Sequence, residues 1–246
     1  MSDNFKSVLF ALATAVICSL LLTAASSGLK PFQEENIEVD RKKNILKSIG
    51  LVEDGRTYSF DAIKSMYTEN ITSMHVDEEG RIAEEGRAAG TTGLPIYLFT
   101  RDKAIQAYVL PINSRGLWGK IYGYLALESD GSTVSGFTVY QHSETPGLGG
   151  EIEKSWFQDN FKGKRIVDQE GNFVSIGIAK PSVTAAMSEA EKANYVDGIS
   201  GATLTGRFLS AGLKEILSEY EPVSIRFRSK EMLLKPKGPK AQEDGQ

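Results

Sequence analysis

Between Lys6 and Lys30 the chain carries no charged residue, and Val8 to Ala25 is apolar apart from Cys18 and a few hydroxyls. As a helix, roughly 20 such residues match the hydrocarbon thickness of a bilayer. Residues 1–29 therefore read as one membrane segment, and everything after them has to bury its own core in water. The apolar run exceeds the ~7–15 residues typical of a signal-peptide core, which favours an uncleaved anchor. Thr23-Ala24-Ala25-Ser26-Ser27-Gly28 still offers small residues that a signal peptidase accepts, so cleavage stays open. Lipoprotein processing is excluded, because Val16 and Ile17, not small residues, precede Cys18. Charge leaves the topology undetermined: Asp3 partly offsets Lys6 and the terminal amine, while Lys30 and Arg41-Lys42-Lys43 lie beyond the span among several acids. Thr14 and Ser19 inside the span read as hydroxyls satisfied on the helix backbone.

Roughly 215 residues remain, enough for one large domain or two intimate halves. Cys18 is the sole cysteine, so the water-soluble part has no disulfide and no thiolate-held iron–sulfur cluster. His75 and His142 are the only histidines, which argues against a multi-histidine zinc or haem site, and His75 reads as a surface or half-buried residue. Any redox centre must be organic or non-thiolate. Lys and Arg number 28 against 32 acids, a net charge of -4 that offers nucleic acid no basic field. Arg41-Lys42-Lys43 fits the solvated face of a helix from about Pro31 to Gly50, with Ile37, Ile45, Leu46 and Ile49 toward the core. Residues 235–246 have almost no apolar content and are expected to be a disordered tail.

In the middle of the chain, 95–100, 104–112, 118–127 and 133–141 read as strands joined by short turns, an antiparallel meander. Further strands are expected at 173–179 and 223–227, and helices at 151–160, at 188–193 and after Thr203. The fold class is α+β: an antiparallel sheet with packed helices, preceded by one N-terminal transmembrane helix.

Asp197-Gly198-Ile199-Ser200-Gly201-Ala202-Thr203-Leu204-Thr205-Gly206 places a hydroxyl-rich turn at the mouth of the last of these helices. Leu204, Phe208, Leu209, Leu213, Ile216, Leu217 and Tyr220 recur at helical spacing as its apolar stripe, with Arg207, Lys214, Glu215 and Glu219 off it. Free backbone N–H groups and the macrodipole at such a terminus favour a phosphate, and Gly201 lets the backbone approach it. No Gly-Lys-Ser/Thr ending follows, which excludes a nucleotide-hydrolysing P-loop. On these residues alone, Ser200 is equally well a helix cap and Asp197 a solvated turn residue. Two further segments break the strand pattern: Gly116-Leu117-Trp118-Gly119, and His142-Ser143-Glu144-Thr145-Pro146-Gly147-Leu148-Gly149, whose glycines and proline suit either a connector or a backbone laid against a planar ligand.

Together, and in this order, the three segments resemble the signatures of the FMN-binding domain family, in which the threonine closing Ser-Gly-Ala-Thr carries the flavin. The resemblance implies FMN joined to Thr203 by a phosphoester, made from FAD by a separate Mg-dependent flavin transferase that reads the motif around it. It implies that Asp197 is a recognition residue for that transferase, and that Ser200, Gly201, Ala202, Leu204 and Thr205 surround the attachment point. Glu144 and Thr145 would line the ring site. Thr145 and the Gly147 to Gly149 backbone would bond the ring edge, Leu148 and Trp118 would cover the ring, and His142 would join the pocket or orient Glu144 from behind.

The resemblance further implies a periplasmic FMN-binding domain over 30–234 on a single-pass inner-membrane anchor. Its activity would be single-electron relay from NADH toward ubiquinone within a membrane complex of the Na+-translocating NADH:quinone oxidoreductase type, with the other subunits as partners. The flavoprotein subunit of ferredoxin:NAD+ oxidoreductase complexes is the alternative, although the long segment from Gly50 to Gly93 suits the sodium pump better. A cofactor-free, membrane-tethered binding module is the alternative of another class. No Gly-x-Gly-x-x-Gly segment accompanies these motifs, so no NADH turnover is expected from this chain by itself.

Overall fold

A computed structural model of the protein describes residues 3–82 and 93–231. The expected tail, 235–246, lies outside the described residues. The chain divides into two compact units between Arg41 and Lys42. The described residues of the first are all helical: α1 spans Asp3–Ser48, and its N-terminal half is long and apolar enough to cross a membrane. Thr14 Oγ1 donates to the Phe10 carbonyl at 2.9 Å, which satisfies that hydroxyl within the helix as its position in the apolar run requires. The helix expected to start at Pro31 does not start there. α1 continues through Pro31, which gives up one backbone N–H in a helix interior, and Ile37 is exposed.

The second unit is built on a five-stranded antiparallel meander in the order β1 (Ile71–Val76), β2 (Leu94–Arg101), β3 (Ala104–Arg115), β4 (Lys120–Glu128), β5 (Val134–Gln141). Registers such as Tyr108↔Leu127, Leu110↔Leu125 and Ser114↔Ile121 place these residues on one face. That face is covered by α6 (Thr203–Glu219) and α7 (Glu221–Arg228). α6 lies very close to β3: a Cβ at Gly212 would stand 2.0 Å from Ser114 Oγ. α7 is held by the Tyr108–Phe227 stack, at 4.1 Å between centroids, and by the 2.8 Å hydrogen bond between Tyr108 Oη and Ser224 Oγ. The last turn of α1 packs on the opposite face, where Ile45 and Leu46 are buried, as their spacing predicts, and Ser48 O lies where a Cβ of Gly136 would be. α2 (Phe60–Asn70), capped by the Ser59 side chain, leads into β1.

The connection from β5 to α6 carries α3 (Ser155–Gln158), β6 (Gly177–Ala179), α4 (Pro181–Thr184), α5 (Glu189–Lys192) and β7 (Tyr195–Asp197). β6 and β7 pair in parallel as a separate two-stranded sheet. Only the last three residues of the expected strand 173–179 form one, because Ser175 takes a positive φ of 72° that breaks an extended run. The strand expected at 223–227 is instead the helix α7. Val223, Ile225 and Phe227 alternate like a strand, but Pro222 pre-sets the helical start, and Val223, Ser224 and Phe227 are the buried positions while Ile225 is exposed. The helix expected at 151–160 is broken into the short α3 flanked by two 3-10 turns.

Candidate cofactor site

The three signature segments, far apart in sequence, converge at the N-terminus of α6. Gly116 to Gly119 closes a tight turn between β3 and β4, with the Gly116 N–H donating to the Gly119 carbonyl at 2.7 Å. Ser114 Oγ donates to the Phe208 carbonyl at 3.3 Å, which anchors this end of β3 to α6. Residues 142–149 come off the adjacent end of β5, so the meander brings both loops to the same end of the sheet.

α6 begins without a side-chain cap. Its N-cap is Ala202, not Ser200, and among the described residues the N–H groups of Thr203, Leu204 and Thr205 have no hydrogen-bond partner. Gly201, at a φ of 79°, makes the turn into the helix, and a Cβ on it would meet Leu148 at 2.9 Å. The first turn of α6 divides its hydroxyls sharply. Thr203 is exposed, while Thr205 is only 2% exposed and gives its hydrogen to Glu144 Oε2 at 2.5 Å.

Thr203, with Gly201 and Ala202, stands on the wall shared by two cavities. One, of ≈ 380 Å³, lies between this turn and the β6–α4 connection and is flanked by Lys180 and Arg207 along with Ser200. The other, of ≈ 160 Å³, is bounded by Leu117, Trp118, Glu144, Thr145, Leu148, Gly149, Leu204 and Thr205. Four large apolar side chains around the smaller cavity are exposed: Leu117 41%, Trp118 68%, Leu148 44% and Leu204 47%. Such a cluster beside a cavity is the surface a planar apolar ligand would cover. Leu204 thus leaves the apolar stripe to face the site, while Leu209, Leu213, Leu217 and Tyr220 bury it as the spacing predicts.

Glu144, only 5% exposed, accepts the Leu117 and Trp118 N–H groups on Oε1 at 2.8 and 3.1 Å. His142 lines neither cavity. Its Nδ1 accepts the Glu144 N–H at 3.1 Å, which leaves Nε2 to donate to Glu153 Oε2 at 3.2 Å. The Lys154 ammonium and the His142 ring beside Glu153 hold that carboxyl below its usual range. Gly147, at a positive φ of 73°, turns the loop, and Thr145 O accepts the N–H groups of Leu148 and Gly150. Asp197 lies apart from the two cavities: its carboxylate accepts the Thr184 hydroxyl and ties the end of β7 to α4. Lys180, Arg207 and Leu117 also flank the site, although the sequence reading assigns none of them to it. Leu117 sits inside one of the motifs and Arg207 sits off the apolar stripe, but nothing in the sequence around Lys180 places it here.

The residues present suit FMN: an exposed hydroxyl, three free amides and two cations for a phosphate on one side, and an apolar rim for a ring on the other. Comparison with known proteins agrees. Residues 116–218, which hold all three segments, match the FMN-binding domain. The chain is 32% identical to the C subunit of the Na(+)-translocating NADH-quinone reductase of Pseudomonas aeruginosa strain PAO1, over 82% of this chain and 87% of that one. It is 31% identical to the Vibrio anguillarum counterpart, over 83% and 87%. The crystal structure of the counterpart from Parabacteroides distasonis superimposes with a TM-score of 0.67 at 32% identity, covering 80% of this chain and 96% of the other. The chain belongs to this family, the C subunits of Na(+)-translocating NADH-quinone reductases.

Proposed function

We propose that this chain is the flavoprotein subunit of a Na+-translocating NADH:quinone reductase, a relay for single electrons between other subunits of the complex, with FMN joined to Thr203 through a phosphoester. Family membership across most of the chain, the FMN-binding domain and the apolar α1 support the assembly. The observation that carries the attachment point is the contrast between two threonines in one helical turn. Thr203 is exposed between two cavities at a helix terminus with free amides, whereas Thr205 is buried and its hydroxyl is committed to Glu144.

The protein's own residues have three tasks. The Thr203 to Thr205 amides and the α6 dipole receive a phosphoryl group, the dipole contributing up to ~1 kcal/mol, and Lys180 and Arg207 add positive charge nearby. Leu117, Trp118, Leu148 and Leu204 exclude water from a ring, the lack of a side chain on Gly201 leaves room for Leu148 against the start of the helix, and Gly147 supplies the positive φ that turns the loop. Bound here, FMN would supply one-electron redox chemistry, with its potential set by these surroundings.

An unactivated threonine hydroxyl needs a separate catalyst for esterification, so a flavin transferase acts during maturation, on a motif that includes Asp197. The domain from residue 30 to 234 faces the periplasm on a single uncleaved anchor, residues 1–29. The relatives' names favour NADH:quinone chemistry over the ferredoxin-linked alternative.

The functional test is a purified complex assembled with the Thr203→Ala chain. Na+-stimulated, NADH-driven quinone reduction should be lost relative to wild type. Unchanged Na+-stimulated turnover in the variant, or dependence of the wild-type complex on ferredoxin, would reject the proposal.

A further inference from the structure

The Glu144 carboxylate accepts three hydrogen bonds at a point where three chain segments meet. Oε1 takes the Leu117 and Trp118 amides of the β3–β4 turn, and Oε2 takes the Thr205 hydroxyl of α6. Its own N–H is held by His142 Nδ1. A buried carboxylate is costly unless it is satisfied in this way.

Two glycines have spacing that follows from this carboxylate. A Cβ at Gly116 would stand 2.5 Å from Glu144 Oε1, and one at Gly149 would stand 2.6 Å from Oε2 and 2.6 Å from Thr205 Oγ1. Neither glycine has a positive φ, so backbone conformation does not demand them. Space for the carboxylate does. One glycine from each loop motif and one threonine from the helix motif are thus fitted to a single side chain.

We infer that Glu144 is a positioning residue: its carboxylate ties the Gly116–Gly119 turn and the 142–149 loop to the first turn of α6, and so fixes Trp118 and Leu148 relative to Thr203. Only the nature of the ligand rests on the proposed flavin reading; the tie itself exists in the protein without it. Precise placement of walls around a reactive or redox group is what such ties achieve, because small displacements of first contacts change what the group experiences.

The test uses the full chain in detergent and begins without any cofactor, in a Thr203→Ala background. Hydrogen exchange followed by mass spectrometry should show Glu144→Ala speeding exchange across residues 116–119, with the interior of β3 and β4 unchanged. Glu144→Gln keeps an acceptor for the two amides but turns an NH2 toward Thr205, and should give an intermediate rate. Thr205→Val removes the donor on the other side and should also speed exchange across 116–119, while Thr205→Ser should restore wild-type rates. Should Glu144→Ala fail to fold, the Thr205 pair carries the test unaided.

With Thr203 intact and the chain loaded by a flavin transferase, the visible circular dichroism of the flavin should weaken in Glu144→Gln, and iodide should quench its fluorescence more readily. Wild-type exchange rates at 116–119 in Glu144→Ala and Thr205→Val, or a flavin signal in Glu144→Gln identical to wild type, would overturn the inference. A wild-type chain that takes up no flavin would instead overturn the proposed function and leave the exchange result standing.

Discussion

At several bends a single carboxylate satisfies the backbone amides that the turn leaves free. Asp130 is the plainest case. It accepts the Ser132 and Thr133 amides at 2.8 and 2.9 Å and the Thr133 hydroxyl at 2.6 Å in the turn from β4 to β5. Burial pushes its pKa up, but the Thr133 and Ser132 hydrogen bonds and the Arg165 charge outweigh burial and leave it below the ordinary aspartate value. A carboxyl with a lowered folded-state pKa stabilises the fold fully above its unfolded value, and that contribution disappears as pH falls through the folded value. Asp130→Asn should therefore lower the melting temperature at neutral pH, and the wild-type and variant curves should converge under acid conditions. A gap that stays constant down to strongly acid pH would show that ionisation of Asp130 contributes nothing. Asp197 combines two roles. Transferase recognition is the proposed one; the other is structural, since its carboxylate is engaged by Thr184 and shapes the connection that carries Lys180.

Among the elements, α6 matters most, since it covers the sheet with one face and offers the site at its N-terminus. Gly212 sets how near it lies to β3, with Ser114 Oγ occupying the space a Cβ would need. Gly212→Ala should force the helix outward and destabilise the fold by about 1–3 kcal/mol, the usual cost of overpacking, as a drop in thermal midpoint. A midpoint equal to wild type would mean that Ser114 rotates away at no cost. The helix is legible in the sequence because its apolar residues repeat at a period of 3.6, and the meander because β2 to β5 are rich in branched and aromatic residues between short turns. β1 is not: Thr72, Ser73 and His75 are all exposed on this edge strand, so no apolar alternation marks it. α7 reads as a strand because three apolar residues at alternate positions outweigh Pro222, and β6 reads as too long because nothing in the residue types announces the positive φ at Ser175. The loops around Thr203 are legible through their motifs, whereas the bonds that join them through Glu144 depend on long-range packing that no local pattern encodes.

For the whole molecule, the uncharged N-terminal run and the α+β unit after it divide the labour. α1 supplies membrane attachment, and the second unit supplies a shaped, partly apolar site at one end of its sheet. A freely diffusing cofactor would be lost from a compartment outside the cell, so a covalent link to an exposed threonine suits the proposed relay on the periplasmic side. The absence of any cysteine outside α1 is consistent with an organic redox centre as the group this unit holds. The measurement that bears most directly on a covalent flavin at Thr203 is the intact mass and in-gel fluorescence of the denatured chain, wild type beside Thr203→Ala, each co-expressed with an active flavin transferase. Yellow fluorescence and the added mass of an FMN phosphoryl adduct are predicted on the wild type alone. The same adduct on both chains, or an unmodified wild type beside a transferase that labels another substrate, would contradict it.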